Sequence, residues 1–201
     1  IFQRSIENYP IYYLTGLILW QLFTGATNAA MTTLVDNKTM LIKVKLPMEI
    51  FVLARAYTAV VNLGYSLIAY VAMLIVFRVT PKWTMFYAPI IFLLLIIFAI
   101  GFSYILSTAY VFFGDVKHLY SVVLTLWMYC SALFYPVDQL SGLIHDIIVI
   151  NPIFSYIDAL RNVVMYGRIP SLAENIRMIL WAGIVYVIGY LIFRKNKNNI
   201  M

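Results

Sequence analysis

The sequence predicts an all-α, polytopic transmembrane helical bundle of five spans, with a pair of short re-entrant helices before the last span. Three observations carry that class. Hydrophobic residues fill 64% of the 201 positions and charged residues 11%, with a mean hydropathy of +0.91. A soluble domain runs about 45–50% apolar and about 25% charged, because its surface must be coated for water. Five runs approach the roughly 20 apolar residues that a helix needs to cross a hydrocarbon core of about 30 Å. Finally, the segment 136–175 is too long for a turn and too apolar for a solvated loop, and it holds two stretches of about half a span each. Residues 1–201 read as a single membrane domain.

The first run, Tyr12–Val35, is the least pure. Gln21, Asn28 and several Thr and Gly residues suit a helix packed against other helices rather than one facing lipid. Asp36–Glu49 (DNKTMLIKVKLPME) is a polar, basic connection in which Pro47 marks a break before the second run, Ile50–Phe77. Arg78–Thr84 turns around Pro81 into the third run, Met85–Ala109, and Gly114–His118 is a short polar turn before the fourth, Leu119–Tyr135. Within 136–175, the stretches Leu143–Ile150 and Phe154–Met165 are separated by Asn151-Pro152. Ser171 and Glu174 form a Ser-x-x-Glu capping box that opens the last run, Ile176–Phe193, and Arg194-Lys195-Asn196-Lys197 is a basic stop.

Fourteen Lys and Arg against eight Asp and Glu give a net charge of +6. In a chain this apolar the ordinary cause is basic loops at a membrane surface. No basic patch interleaves with solvent-facing aromatics, so no nucleic-acid partner is expected. Placing 36–49 in the cytoplasm collects Lys38, Lys43, Lys45, Lys117, Lys195 and Lys197 on that side and leaves Lys82 opposite, which predicts a cytoplasmic C-terminus. The arginines follow less well, since Arg4, Arg78, Arg161, Arg168 and Arg177 fall on the other side. A lone Cys130 excludes an internal disulfide and a cysteine-based zinc site. The chain starts at Ile1 without a signal-peptide pattern, and a preceding N-terminal segment is expected.

Few side chains invite chemistry. No glycine pattern of a phosphate-binding loop occurs, so no nucleotide is expected on this chain. His118 and His145 fall on opposite sides of the membrane, which removes a two-histidine metal site. The spans carry no chain of acids, which argues against an ion-driven carrier and places the energy source on another chain. Arg55 lies near enough to a span end to snorkel. Asp146, Asp158 and Arg161 all fall in the re-entrant region. Asp158 and Arg161 are three apart on a helix, where they can pair structurally or form a polar element at an outer mouth. Asp146 and Asp158 could in principle be an acid and base pair, but nothing else in the chain supports catalysis, and an intramembrane glycosyl or acyl transferase is kept as an alternative. Tyr65, Tyr70, Phe102, Tyr104, Trp127 and Tyr129 lie in mid-span. Packing is the first reading for each, and lining a passage for sugars the second.

The run Asn37–Phe51 (NKTMLIKVKLPMEIF) resembles the cytoplasmic loop of type-2 ABC transporter permeases that export polysaccharides, O-antigens and teichoic acids. YPIYYLTGLILWQLF, VFFGDVKHL, LFYPVDQL and NPIFSYIDALRNVVMYGRIP occur around it in the order that family has them. The resemblance implies a permease subunit that is not an enzyme. It would pair with a second copy of itself and with an ABC ATPase that binds ATP and Mg, and would bind no cofactor or metal of its own. It further implies a bacterial inner-membrane location and a substrate that is a polyprenyl-diphosphate-linked glycan or a polyol-phosphate polymer; drugs or lipids are the alternative cargo. Lys43, Lys45, Pro47 and Glu49 would form the ATPase-coupling element within loop 36–49. Asp146, Asp158 and Arg161 would sit in an outer gate region, 136–175. The family has six spans, and the first of these, with an amphipathic helix before it, has no counterpart in the sequence. Met48 stands where the family often has Arg, and Val44 where it has a second Lys, which lowers the charge expected at the docking face.

Overall fold

Proline opens three of the helices, supplying a backbone already set for the first turn where its missing N–H is not needed. Pro10 does so in α1 (Tyr9–Met31), Pro89 in α5 (Ala88–Phe112) and Pro152 in α8 (Pro152–Arg161). The computed structural model describes residues 8–43, 46–137 and 142–200. Between these helices run α2 (Thr33–Asp36), α3 (Lys38–Lys43), α4 (Glu49–Val76), α6 (Val116–Cys130) and α7 (Leu143–Ile150); α9 (Leu172–Ile200) closes the chain. No strand occurs among the described residues.

α4, α9 and α5 with its 3₁₀ lead-in Trp83–Tyr87 are long and apolar enough to cross a membrane, and their outward faces expose Ile, Leu, Val and Tyr side chains. α5 is the central helix, packed on α1, α4 and α9. α1 has the length of a span but is sheathed by its neighbours. Its buried threonines donate inward, Thr15 to the Ile11 carbonyl (2.7 Å) and Thr27 to that of Phe23 (2.9 Å), so their hydroxyls meet no apolar surface unpaired.

The expected fourth span, Leu119–Tyr135, is corrected by the structure. α6 holds 15 residues, an extent of about 22 Å that falls short of a hydrocarbon core. The chain leaves the helix because Ala132 adopts a left-handed conformation (φ 49°) and because side chains from other elements take up the carbonyls that follow. By contrast, the two half-spans fall where expected. α7 and the α8 segment, which continues through a π-helical turn (Asn162–Tyr166) to Tyr166, meet at 83° across Asn151.

The tightest helix crossing is that of α5 on α9. A Cβ on Gly101 would lie 2.5 Å from the Tyr186 backbone, and one on Gly189 would fall on the Gly101 carbonyl oxygen. Only glycine permits that approach, the common device for packing helices whose apolar faces gain little from leaving lipid.

Candidate functional site

The two ends of the bundle carry different chemistry. At the end that holds the 36–49 connection, α3 is a six-residue helix with no buried residue, exposing Lys38, Lys43, Met40 and Ile42. Beneath it lies a small apolar core of Ala30, Leu34, Met48, Val52, Tyr104 and Phe193, drawn from five segments of the chain. A cleft of about 230 Å³ opens between α3 and this core, lined by Leu34, Leu41, Ile42, Met48 and Val111.

Of the expected coupling residues, Lys43 and Pro47 are exposed, and Lys45 lies outside the described residues. Glu49 is turned inward: its carboxylate accepts from Lys197 Nζ at 3.0 and 3.3 Å. Met48 is 3% exposed. Its side chain fills the small core beneath α3. Arg55 reaches the same end and donates to Thr33 Oγ1 at 3.4 Å.

The opposite end is organised by Arg161, 2% exposed. Its guanidinium donates to the carbonyls of Ala132 (2.9 Å), Leu133 (3.0 Å) and Tyr12 (3.3 Å) and to the Tyr12 hydroxyl (2.8 Å), and its carbon sits 3.5 Å from the centre of the Tyr12 ring. Gly16 leaves the room, since a Cβ there would stand 3.0 Å from Arg161 Nη2. Asn151 serves the same broken segment. It caps α8 by accepting from Ile153 N (3.0 Å), accepts from Trp127 Nε1 (2.9 Å) and donates to the Cys130 carbonyl (2.9 Å). Tyr9 and Tyr12 donate to the carbonyls of Phe134 and Tyr135. Irregular backbone in an apolar bundle is thus satisfied carbonyl by carbonyl, the condition under which it survives at membrane depth.

A cavity of about 350 Å³ opens beside Arg161, bordered by Tyr12, Asp158, Arg168, Glu174, Arg177 and His145. Arg168 and Glu174 form an ion pair at 2.9 Å, and the capping box forms reciprocally, Ser171 N donating to Glu174 and Glu174 N to Ser171 Oγ. The expected Asp158–Arg161 pairing is corrected. Asp158 accepts from Asn162 Nδ2 (3.0 Å) and forms no ion pair with Arg161, whose donors are taken by carbonyls and Tyr12. Asp146 lies outside the lining, 71% exposed on its side chain beside His145. An acid and base pair of Asp146 with Asp158 has no shared site there.

The mid-span aromatics divide. Tyr70 and Tyr104 are core residues, the first bonded to Thr15 Oγ1 at 2.6 Å and the second ringed by Tyr186, Tyr190 and Phe193. Phe102 and Trp127 meet Phe23 edge-on and each other at a tilt in one aromatic cluster. All four pack against other side chains of the bundle, Tyr70 and Tyr104 buried and Phe102 and Trp127 half-buried. Tyr65 and Tyr129, 69% and 55% exposed, lie on the outside of the bundle.

Sequence patterns did not single out Asn151, Tyr12, Gly16 or Lys197 for these roles. Asn-Pro before a short apolar stretch is a legible cap signal, whereas nothing local marks Gly16 or Lys197.

Among known proteins, a family described as ABC-2 type transporter matches residues 1–165. The O-antigen export system permease protein RfbA of Klebsiella pneumoniae is 28% identical over 199 residues, covering 98% of this chain and 76% of the relative. A protein of the same name from Myxococcus xanthus is 24% identical over 190 residues, covering 90% and 73%.

Proposed function

The chain belongs to the ABC-2 type transporter family, and from that premise we propose that it is the membrane permease subunit of an ATP-driven exporter of lipid-linked cell-surface polysaccharide. Its relatives bear the name of O-antigen export permeases, which supports a polyprenyl-diphosphate-linked glycan over a polyol-phosphate polymer, a drug or a free lipid as cargo. ATP and Mg belong to a separate ABC ATPase. Loop 36–49, and the C-terminus with it, faces the cytoplasm, and the Arg161 end faces outward. A second copy completes the passage, and Tyr65 and Tyr129 line it where the two copies face each other.

The observation that carries this reading is α3: a largely exposed, basic and amphipathic helix seated on a core shared by α1, α2, α4, α5 and α9. Pressure on such a helix reaches the bundle through packed side chains rather than through a slack loop. The ATPase would bear on Lys43 and on the apolar side chains of Met40 and Ile42.

Pull-down of the detergent-solubilised chain with its ATPase tests this, comparing the native protein with Lys43→Glu and Ile42→Asp. Native retention with loss in both variants is the expected result. Failure of the native chain to retain the ATPase would overturn the reading.

A further inference from the structure

We infer that α9 is the rod that carries movement from the α3 loop to the outer cavity, and that Lys197 is the positioning residue that fastens it to the loop. The inference rests on the reading of that loop as the ATPase contact. α9 runs unbroken for 29 residues, about 43 Å, which is longer than a hydrocarbon core is thick.

At the loop end, Lys197 Nζ lies 3.0 Å from Glu49 Oε1 and 3.3 Å from Oε2. Glu49 stands in the first turn of α4 and Lys197 in the last turn of α9, so each charge also complements its own helix dipole. Both side chains are more than half buried. One turn before Lys197, Phe193 is fully buried against the core that Met48 and Val52 share, so the attachment is packed as well as charged. At the outer end, α9 is held by three bonds. Arg177 Nη1 donates to the Val149 carbonyl of α7 at 3.1 Å, the Tyr156 hydroxyl of α8 donates to the Met178 carbonyl at 2.8 Å, and the Tyr87 hydroxyl meets Asn175 Oδ1 at 2.6 Å.

Between the two ends α9 is locked on α5 by the Gly101–Gly189 crossing, which permits the pair to tilt together but not to slide freely. A helix so held moves as a body, and a shift of Glu49 is delivered to the carbonyl of Val149 and to α8. Packed contacts and charge pairs with two discrete arrangements are what conduct such a shift.

The test uses the full chain reconstituted with its ATPase, in a Cys130→Ser background with Ile144→Cys on α7 as a thiol reporter; Ile144 is 60% exposed. Thiol labelling is timed without nucleotide and with a non-hydrolysable ATP analogue. Native Lys197 should give a nucleotide-dependent change in labelling rate. Lys197→Glu should abolish that change and lower export about tenfold while the ATPase stays bound. Lys197→Glu with Glu49→Lys should restore both, and so should Lys197→Arg alone. Should the charge reversals lower the yield of folded protein, Lys197→Met takes their place with the same expected losses. A nucleotide-dependent change that survives in Lys197→Glu or Lys197→Met overturns the inference, as does a restored charge pair that leaves export low. If the native chain retains no ATPase, the reading of the loop falls first and the inference with it.

Discussion

Arg161 is the side chain on which most of the bundle end opposite the 36–49 connection depends. Three carbonyls and one hydroxyl take its protons, and no other described donor replaces it at Ala132 or Leu133. Removing one partner of a buried hydrogen bond costs about 1–3 kcal/mol, because the partner left behind is desolvated and unpaired. Arg161→Met should therefore destabilise the chain by several such increments and lower its melting temperature in detergent. Arg161→Lys should recover little of it, since a point charge cannot match the planar fork of a guanidinium. Thermal unfolding followed by size-exclusion chromatography reads both. A native melting temperature for Arg161→Met would mean that water or lipid serves those carbonyls. Asp158, three residues away, looks from its spacing like the partner of Arg161. The folded chain gives Arg161 other partners because bending α6 frees carbonyls that need a donor more than Asp158 does.

Among the elements, the α5–α9 pair and the α6–α8 junction make separate predictions. Leucine at Gly101 or Gly189 would drive a side chain into the backbone of the facing helix. Either variant should fail to accumulate as a monodisperse protein. At Gly64 on α4 a Cβ would meet nothing within 4 Å, and Gly64→Ala should leave assembly intact or improve it by up to about 1 kcal/mol, the usual helix preference for alanine. If Gly189→Leu assembles as well as Gly64→Ala, the two helices do not cross there. At the junction, Asn151→Asp keeps the acceptor for Ile153 N and Trp127 but sets an oxygen against the Cys130 carbonyl. It should lower the melting temperature more than Asn151→Ser does. Helix lengths follow the same logic. α4, α5 and α9 are legible as apolar runs because nothing interrupts them. α6 ends five residues early because the carbonyls of Cys130, Ala132 and Leu133 find donors on Asn151 and Arg161, more than 20 positions along the chain.

For the whole molecule, the loop end and the outer end must lie on opposite sides of a membrane if α9 joins them. In a Cys130→Ser background, Ile169→Cys, 56% exposed at the outer end, should react with an impermeant thiol reagent in right-side-out vesicles. Lys195→Cys should react only in inverted vesicles. The reverse pattern would invert the orientation inferred from the lysines. The outward tyrosines bear on assembly in the same way. Tyr65→Ala and Tyr129→Ala should lower export several-fold at normal protein yield, whereas Tyr70→Ala should lower the yield itself, because Tyr70 is bonded into the core through Thr15. Export assays normalised to membrane protein separate the two.

Residue order was enough to establish the class of the fold, the long apolar helices, the capped start of α9, the break at Asn151-Pro152 and the family, through blocks kept in succession along the chain. Those properties are local: apolar length, proline and capping residues act over a few positions, and motifs are read one after another. Folding in three dimensions was needed to show that Arg161 holds the chain after α6 and α1 rather than Asp158, that Met48 is core rather than surface, that Tyr70, Phe102, Tyr104 and Trp127 pack within the bundle, and that Glu49 meets Lys197. Most of these join residues distant in sequence. In an apolar bundle almost every helix face can bury against almost any other, so hydropathy leaves the pairing open. It is settled by the few buried donors, carbonyls, glycines and charges that have only one arrangement in which all are satisfied.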